Sequence, residues 1–506
     1  MKHLEKPILI AVGAVLLLAS LNRSEAAELL GGVARIDITD REAGPVHDPS
    51  FAKALVLKNE HTTVVLITVD AVAIGEIGRI RNDFLTGVRA QLKQELGIPP
   101  ASVLVNASHC HGRVRGDSQR LVVQAVKEAW KQLTPVTVGA GAGHEQRISE
   151  NRRLKMKDGS EVDMRRAYSM PPDDAVAGVG PIDPQIGLLR IDRADGKPLA
   201  VLYNFACHPI MNPPNKGSSA DYPGYASKVI EESLGGGALA FFVQGCGGDI
   251  NPVRYKEVNQ SPDAEPLGNF LGLSVMRAVR QIQTKTDGQL KITSETITLP
   301  RGADLELRIA AIQSEQQRLL HALKPTNINF KTFVPLLVQE RLSPEFPSAY
   351  SQSYLHDKMI GNDDLAKLDS DNRASVDAYL KNIQIMEELT RLNTNRTLLE
   401  KHLAQNKAAA QSTLDVEICG WRVGNFKLVT FPGELTVQIG LNIKRAAGDP
   451  HAFVAGYTNG YIYYAPTTQQ RKNTGYAQED CDSLVAPEWQ RIFELTARQV
   501  LKQLGP

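Results

Sequence analysis

The sequence predicts a layered α/β/α sheet domain that carries a helical insertion. Short apolar runs typical of buried strands alternate with amphipathic helical patterns along most of the chain, as in layered α/β domains. A charged, helical stretch at 301–411 interrupts this alternation. Of the 506 residues, 42% are hydrophobic, which is enough for one large core or two modest ones and excludes a disordered chain.

The first elements in chain order predict a strand-rich start followed by a β-α-β unit. A strand is predicted at 32–38, and runs at 54–57 and 63–67 flank a polar turn, so they should pair. Apolar residues then recur at helical spacing from Ile77 to Leu92, and the next strand begins at Val103. Further helices are predicted at 121–133, 225–234, 267–282, 435–443 and 488–504.

Residues 1–26 are predicted to be a secretory signal peptide. Two lysines precede the apolar run 8–21, and Ser24-Glu25-Ala26 forms a small-x-small cleavage site, with cleavage expected after Ala26. The run of about 14 residues is shorter than the roughly 20 that span a bilayer, although an uncleaved anchor is the alternative. The mature chain is therefore expected to be secreted or periplasmic, without a membrane span.

The remaining chain is predicted to form one domain from 27–300 and 412–506, with the helical insertion at 301–411 as a candidate lid. Long, charged helical patterns at 305–323 and 375–403 enclose a stretch rich in proline, serine and aromatic residues. The formal net charge is +1, with 57 basic and 56 acidic residues mixed along the chain. This balance does not favour a nucleic-acid partner or an anionic membrane surface, and it favours small-molecule chemistry.

Five cysteines are present, at positions 110, 207, 246, 419 and 481. The odd number leaves at least one thiol unpaired within the chain, and the number is too small for a disulfide-stapled scaffold. The simplest interpretation is that they are small buried residues. Disulfide pairing and metal ligation are the alternatives.

Five of the predicted strands end just before a polar residue that can bind metal or carry chemistry. In open α/β sheets, ligands and catalytic groups gather beyond the carboxyl ends of the strands, so the five ends predict one composite site. The residues that follow these strands are His109, His208, Asp249, Glu434 and the pair Tyr461 and Tyr464.

His109, His208 and Glu434 form a donor set that suits zinc. His109 and His111 form only a His-x-His pair, which is a weak signal, and ordinary hydrogen-bonded histidines are the alternative. His208 strengthens it because it also follows an apolar strand. Catalytic zinc commonly takes three protein ligands and a water, and two histidines with a carboxylate are one usual set. Glu434 supplies the carboxylate, unless it is only an acidic residue in the first turn of a helix.

Four ordered motifs resemble the catalytic domain of the neutral/alkaline (non-lysosomal) ceramidases. They are NASHCHG at 106–112, NFACHP at 204–209, PGE at 432–434 and GYTNGYIYY at 456–464. The resemblance runs from about residue 31 to residue 504 and is patchy at 301–412. It implies a zinc hydrolase with a lipid-like or other small-molecule substrate, and it implies Zn²⁺ ligation by His109, His208, Glu434 and Tyr464.

The same resemblance implies roles for residues around the metal. His111 would support a ligand or contact the substrate. Tyr476 and Arg152 match residues that contact the reacting carbonyl, where preplaced donors stabilise a developing oxyanion. Taken alone, Arg152 would instead be a surface charge, and Tyr464 a packed aromatic residue.

One departure from the ceramidase pattern affects the mechanism. The loop 247–252, GGDINP, has Asn251 where ceramidases carry a nucleophilic serine, and asparagine cannot replace an alkoxide. We also expect the immunoglobulin-like C-terminal domain of ceramidases to be absent. The resulting hypothesis is a zinc-dependent hydrolase of an amide or ester, with zinc-activated water as the nucleophile. His111 or Asp249 would carry protons, although Asp249 could equally cap a helix or close a turn.

Two other functions compete with this hypothesis. The first is a non-catalytic, zinc-containing protein that binds a ligand, which the loss of the serine favours. The second is a true ceramidase or N-acyl amidase in which Ser218 or Ser219 replaces the missing hydroxyl. Their spacing gives no support to the second alternative.

Overall fold

The computed structural model describes residues 28–163, 171–211, 217–255, 257, 259 and 261–505. The predicted signal peptide at 1–26 lies outside the described residues. The strands are β1 (Leu30–Asp37), β2 (Phe51–Lys58), β3 (Thr63–Val69), β4 (Val103–Ala107), β5 (Thr134–His144), β6 (Ser149–Asn151), β7 (Arg153–Met156), β8 (Glu161–Asp163), β9 (Val176–Val179), β10 (Gln185–Arg193), β11 (Pro198–Phe205), β12 (Leu239–Gln244), β13 (Ile250–Pro252), β14 (Leu290–Pro300), β15 (Thr413–Val423), β16 (Phe426–Thr430), β17 (Glu434–Leu435), β18 (Ala452–Ala455) and β19 (Tyr464–Ala465).

The α-helices lie mostly between these strands. They are α1 (Phe84–Leu96), α2 (Ser118–Lys131), α3 (Asp221–Leu234), α4 (Glu265–Val279), α5 (Leu305–Ala322), α6 (Phe330–Leu342), α7 (Ser351–Ile360), α8 (Asp364–Ala409), α9 (Val437–Ala447), α10 (Thr468–Arg471), α11 (Gln478–Cys481) and α12 (Trp489–Gln503). In the described part of the chain, no helix has the length and apolarity needed to cross a membrane.

Two large sheets form the centre of the molecule. One has eight strands in the order β12-β11-β10-β5-β1-β2-β3-β4, and the other has four in the order β14-β15-β16-β18. Alternate residues of β2 face opposite sides: Ala54 and Val56 pack towards α1 and α2. Leu55 and Leu57 share a core with Trp421 of the four-stranded sheet. The two sheets therefore pack face to face, as the period of two along each strand requires.

Helices cover both outer faces of this pair of sheets. Helices α1 and α2 cover one half of the eight-stranded sheet, and α3 and α4 cover the other half. Helices α9 and α12 cover the four-stranded sheet, where Phe431 packs against Trp489 and Phe493. The predicted layered α/β class is confirmed, and the structure adds that the central layer consists of two sheets.

Three β-α-β units bring strand ends to one place. Parallel pairs form between β3 and β4, β11 and β12, and β16 and β18, with α1, α3 and α9 as the connections. The ends are linked by hydrogen bonds. The backbone amide of Gln244 donates to Asn106 Oδ1 (3.0 Å), and the backbone amide of Ala107 donates to the Tyr457 carbonyl (3.1 Å). The carboxyl ends of β4, β12 and β18 therefore meet, as the sequence predicts.

The segment at 301–411 contains four helices, α5 to α8. The two long helical patterns correspond to α5 and α8, but α6 and α7 form inside the stretch rich in proline and serine, where the sequence predicts no helix. A capping box between Asn329 and Thr332 explains the start of α6.

The helix expected from Ile77 begins only at Phe84, because Gly75, Glu76 and Gly78 have positive φ. The division into domain and insertion stays a prediction.

Candidate metal centre

His109, His208 and Glu434 meet at the joined strand ends. His109 follows β4, His208 follows β11, and Glu434 begins β17 just after β16. One ligand atom from each residue lies within 4.8 Å of the other two. All three residues are 2% exposed, so the group is closed to bulk solvent. The sequence predicts this convergence, and the fold produces it from three separate β-α-β units.

Both histidine rings are held in the orientation that a metal ligand needs. His109 Nδ1 lies 2.6 Å from the Val72 carbonyl oxygen, and His208 Nδ1 lies 2.6 Å from the Gly247 carbonyl oxygen. A carbonyl can only accept, so each Nδ1 carries a proton, and Nε2 is the ring atom left either to bind a metal as a neutral imidazole or to donate to Glu434 as an imidazolium. Such bonds are the usual way in which proteins fix the tautomer and direction of a metal-binding imidazole.

The two Nε2 atoms converge on one carboxylate oxygen. Glu434 Oε2 lies 3.0 Å from His208 Nε2 and 3.5 Å from His109 Nε2. Three acceptors this close repel one another unless a cation or added protons lie between them. Two imidazole nitrogens and a carboxylate oxygen are a usual donor set for Zn²⁺. The residues present therefore fit a zinc ion.

Two tyrosines hold the Glu434 carboxylate. Tyr457 donates to Oε2 (3.1 Å), and Tyr461 donates to Oε1. Burial alone would raise the pKa of Glu434, but the charge on His109 and the hydrogen bond from His208 outweigh it and hold the pKa well below its usual range. The carboxylate is therefore ionised at neutral pH, as a metal ligand must be.

Tyr464 lies beside this group. Strand β17 pairs with β19 in the register Glu434 to Tyr464, and the Tyr464 ring stacks near His208 with 6.4 Å between centroids. Its phenol oxygen accepts a hydrogen bond from Arg152 Nη2 (3.1 Å). The structure thus brings the fourth expected ligand next to the other three, and its ligation of a metal stays a prediction.

Arg152 is fully buried, which corrects the alternative that it is a surface charge. Nε donates to Glu479 Oε1 (2.6 Å), and Nη2 donates to the Gly248 carbonyl (2.6 Å). Nη1 donates to Asn251 Oδ1 (3.3 Å). The guanidinium therefore connects the position of the expected nucleophile with the ring of Tyr464.

Asp249 accepts a hydrogen bond at the start of helix α9. Oδ1 accepts from the amide of Val437 (2.7 Å), the first residue of that helix, and Oδ2 accepts from Asn151 Nδ2 (3.3 Å). This geometry matches the helix-capping alternative. Burial raises the pKa of Asp249 to about 6, with the Val437 amide and nearby arginines opposing the rise.

The raised pKa of Asp249 predicts a pH dependence of stability. Since the ordinary pKa of Asp is about 3.9, the folded state binds more protons than the unfolded state between about pH 4 and pH 6. The free energy of unfolding should therefore fall as the pH rises through this window. Asp249→Asn should remove up to about 1.4 kcal/mol per pH unit of that slope in urea unfolding. The exposed Asp173→Asn is the control, and equal slopes for both variants would contradict the prediction.

His111 and Tyr476 lie at the edges of the site. His111 is exposed, and its ring centroid lies 5.1 Å from that of His109. Tyr476 is half-buried, and its ring lies under the guanidinium of Arg308 in α5, at 5.3 Å. The Tyr476 ring thus packs against the 301–411 helices, which the sequence did not predict. Its expected role at the reacting carbonyl stays a prediction.

The hydroxyls of the two proposed replacement serines hydrogen-bond to groups other than the candidate metal residues. Ser218 Oγ donates to the Arg113 carbonyl (3.0 Å), and Ser219 Oγ donates to Asp48.

The five cysteines are all buried and free, which confirms that they are small buried residues and excludes disulfides among them. Burial raises the pKa of the Cys110 thiol well above its ordinary value.

Sequence reasoning missed several supporting residues. Tyr457 lies inside the GYTNGYIYY motif but is not predicted at the site, and Tyr461 is predicted there without its role of holding the Glu434 carboxylate. Gln244 Nε2 donates to the carbonyls of Cys207 (2.8 Å) and Ser108 (3.3 Å), so it ties the two histidine loops together. Arg153 and Glu479 form a buried ion pair beside the site (2.9 Å). Two adjacent acidic residues in QEDC at 478–481 and two adjacent arginines at 152–153 are the sequence feature that could have indicated this pairing.

No protein-family model matches the sequence. The chain is 21% identical to the neutral ceramidase of Pseudomonas aeruginosa, across 93% of this chain and 69% of that protein. The crystal structure of that neutral ceramidase matches with a TM-score of 0.59 and 17% identity, over 94% of this chain and 74% of the other. A ceramidase complexed with C2 matches with the same TM-score and identity, over 94% and 75%. The resemblance carried by the four motifs is therefore confirmed: this chain is similar to neutral ceramidase in sequence and has the neutral ceramidase fold.

Proposed function

We propose that the chain is an exported, zinc-dependent hydrolase that cleaves an amide or ester bond in a lipid-like, ceramidase-type substrate. The observation that carries the proposal is the convergence of His109 Nε2 and His208 Nε2 on the Glu434 carboxylate. The similarity to neutral ceramidase supports hydrolysis as the reaction. Export rests on the signal-peptide pattern at 1–26 alone.

His109, His208, Glu434 and Tyr464 would hold the metal. A Zn²⁺ ion bound there would polarise a carbonyl oxygen and lower the pKa of a water towards roughly 7. Tyr457 and Tyr461 keep the carboxylate in place, and Arg152 orients the phenol oxygen of Tyr464. His111 is exposed next to His109, where its imidazole can exchange protons with solvent. Asp249, with a pKa of about 6, is the second candidate proton carrier.

The residue at position 251 indicates whether the nucleophile is a side chain of the protein or a water molecule. Its side-chain amide has no hydroxyl or thiol, so no acyl-enzyme can form at this position, and water is the remaining nucleophile. Asn251→Ala should therefore keep kcat/KM within about tenfold of wild type, although loss of the bond to the charged Arg152 should cost about 1.5–3 kcal/mol of stability. The measurement is hydrolysis of matched N-acyl amide and ester substrates. A loss beyond a thousandfold in a folded, zinc-loaded variant would show that Asn251 takes part in the chemistry.

The test of the proposal is metal content followed by a substrate panel. The purified mature protein should contain about one zinc per chain by mass spectrometry, and a chelator should abolish turnover that added zinc restores. The panel contains a ceramide, shorter N-acyl amides and simple esters, which also tests the true-ceramidase alternative. Stoichiometric zinc with no zinc-dependent turnover on any of them would favour a non-catalytic ligand-binding protein. The loss of the serine at position 251 is the observation behind that second candidate.

A further inference from the structure

We propose that the C-terminal half of helix α8 is a positioning element for the metal centre, because it fixes the segment 463–482 that carries Tyr464 and Tyr476. This inference rests on the proposed zinc site. The residues of α8 that make the contacts are Arg391, Asn395, His402 and Gln405.

The first contact holds the strained backbone of Tyr476. This residue has φ of 53°, a left-handed conformation that is unfavourable for a bulky side chain and costs on the order of 1–3 kcal/mol. Arg391 Nη1 donates to the Tyr476 carbonyl (3.0 Å) and to the Gly475 carbonyl, and Asn395 Nδ2 donates to the Tyr476 carbonyl. Arg391 is 9% exposed and Asn395 is 2% exposed, so these are interior bonds.

The second contact reaches Tyr464 through one acidic residue. His402 is completely buried, and its Nε2 lies 2.6 Å from Asp482 Oδ1. The backbone carbonyl of the same Asp482 accepts the amide of Tyr464 (3.0 Å). The helix is thereby linked to the main chain of the expected tyrosine ligand through a single residue.

The third contact reaches Glu434 through Tyr463. Gln405 Nε2 donates to the Tyr463 hydroxyl (3.0 Å), and the His402 ring packs against the Tyr463 ring with 4.7 Å between centroids. Tyr463 is also left-handed, with φ of 62°, and its carbonyl accepts the amide of Glu434 (2.9 Å). Helix α8 therefore supports the main chain on both sides of the β17–β19 pair.

These contacts argue against α8 as a moving lid. Opening it would separate the buried His402 from its carboxylate partner and would release two strained tyrosines. Ligands that are held by supporting hydrogen bonds bind metal more tightly, and loss of such support typically lowers affinity by 10–100-fold. We therefore assign α8 a positioning role, and the prediction of a lid is restricted to α6 and α7.

The test compares zinc affinity and the cobalt spectrum in His402→Ala, His402→Gln and the exposed control His356→Ala. We expect His402→Ala to lower zinc affinity by about 10–100-fold in chelator competition and to shift the ligand-field bands of the Co²⁺-substituted protein. His402→Gln can still donate to Asp482, so its affinity should stay within about threefold of wild type. His356→Ala should match wild type.

The outcomes separate this inference from the proposed function. Wild-type affinity and an unchanged cobalt spectrum in folded His402→Ala would overturn the positioning role. If that variant does not fold, Gln405→Leu, at a half-buried position, decides in the same way, since it removes the bond to Tyr463 and the bond between Gln405 Oε1 and His402 Nδ1 while leaving the His402–Asp482 pair in place. Wild type that binds no zinc would overturn the proposed function, whereas zinc binding without turnover would leave the positioning test valid.

Discussion

His208→Ala is expected to yield a folded protein that no longer retains zinc. The change removes one of two imidazole donors whose Nε2 atoms face Glu434, and it also removes the carbonyl-anchored ring that fixes the direction of that donor. Because loss of a mere supporting bond lowers affinity 10–100-fold, loss of a ligand should lower it by more than about a thousandfold. Metal content should fall from about one zinc per chain to near zero, together with any zinc-dependent turnover.

The matched control for this prediction is His61→Ala. The side chain of His61 is 85% exposed, so its removal tests whether loss of any histidine affects zinc binding. Circular dichroism and urea unfolding establish that both variants are folded. Stoichiometric zinc in folded His208→Ala would show that the metal residues are assigned wrongly.

Glu479→Gln is expected to destabilise the protein by about 3–5 kcal/mol, because it leaves the buried Arg152 without its carboxylate partner, whereas Arg153 keeps Glu161 and Asp480. Glu479 contacts Arg152 at 2.5 Å and Arg153 at 2.9 Å, and the side chains of Glu479 and Arg152 are wholly buried. Burial alone would lower the pKa of Arg152, but the charge of Glu479 outweighs it and keeps the guanidinium ionised. Glutamine preserves the volume of the side chain, so the loss measures charge and not packing.

Urea unfolding with and without added zinc measures this effect. The comparison variant is Glu315→Gln, which breaks an exposed pair with Arg318 and should change stability by less than about 0.5 kcal/mol. A loss below about 1 kcal/mol for Glu479→Gln would mean that the buried arginines are compensated by other groups. Since Arg152 also binds the Tyr464 oxygen, weakened zinc binding in the same variant is expected.

The three residues of the candidate metal centre could be predicted because their signal is local. Buried parallel strands appear in sequence as short apolar runs, and β4, β11 and β16, which precede the three candidate residues, are buried at every position but the first of β11. A polar residue just after such a run is conspicuous. His109 and His208 each follow such a run, and Glu434 follows the strand-breaking pair Pro432-Gly433.

The supporting residues could not be predicted because their signal is distant. Arg152 resembles a surface charge until Glu479, 327 positions later, is placed against it. Likewise, nothing in the sequence of α8 indicates that Arg391 binds the carbonyls of residues 475 and 476. His111 lies two positions after His109 in the same motif, yet His111 is exposed and His109 is buried.

The joining of distant strand ends has a consequence for how the protein matures. His208 and Glu434 are 226 positions apart, and Gln244 and Asn106 are 138 positions apart, so no early stretch of the growing chain contains a complete donor set. Contacts over such separations form late in folding because long loops must close first. We therefore expect metal binding to follow folding, so that the ion available in the compartment where folding finishes decides which metal the proposed site binds.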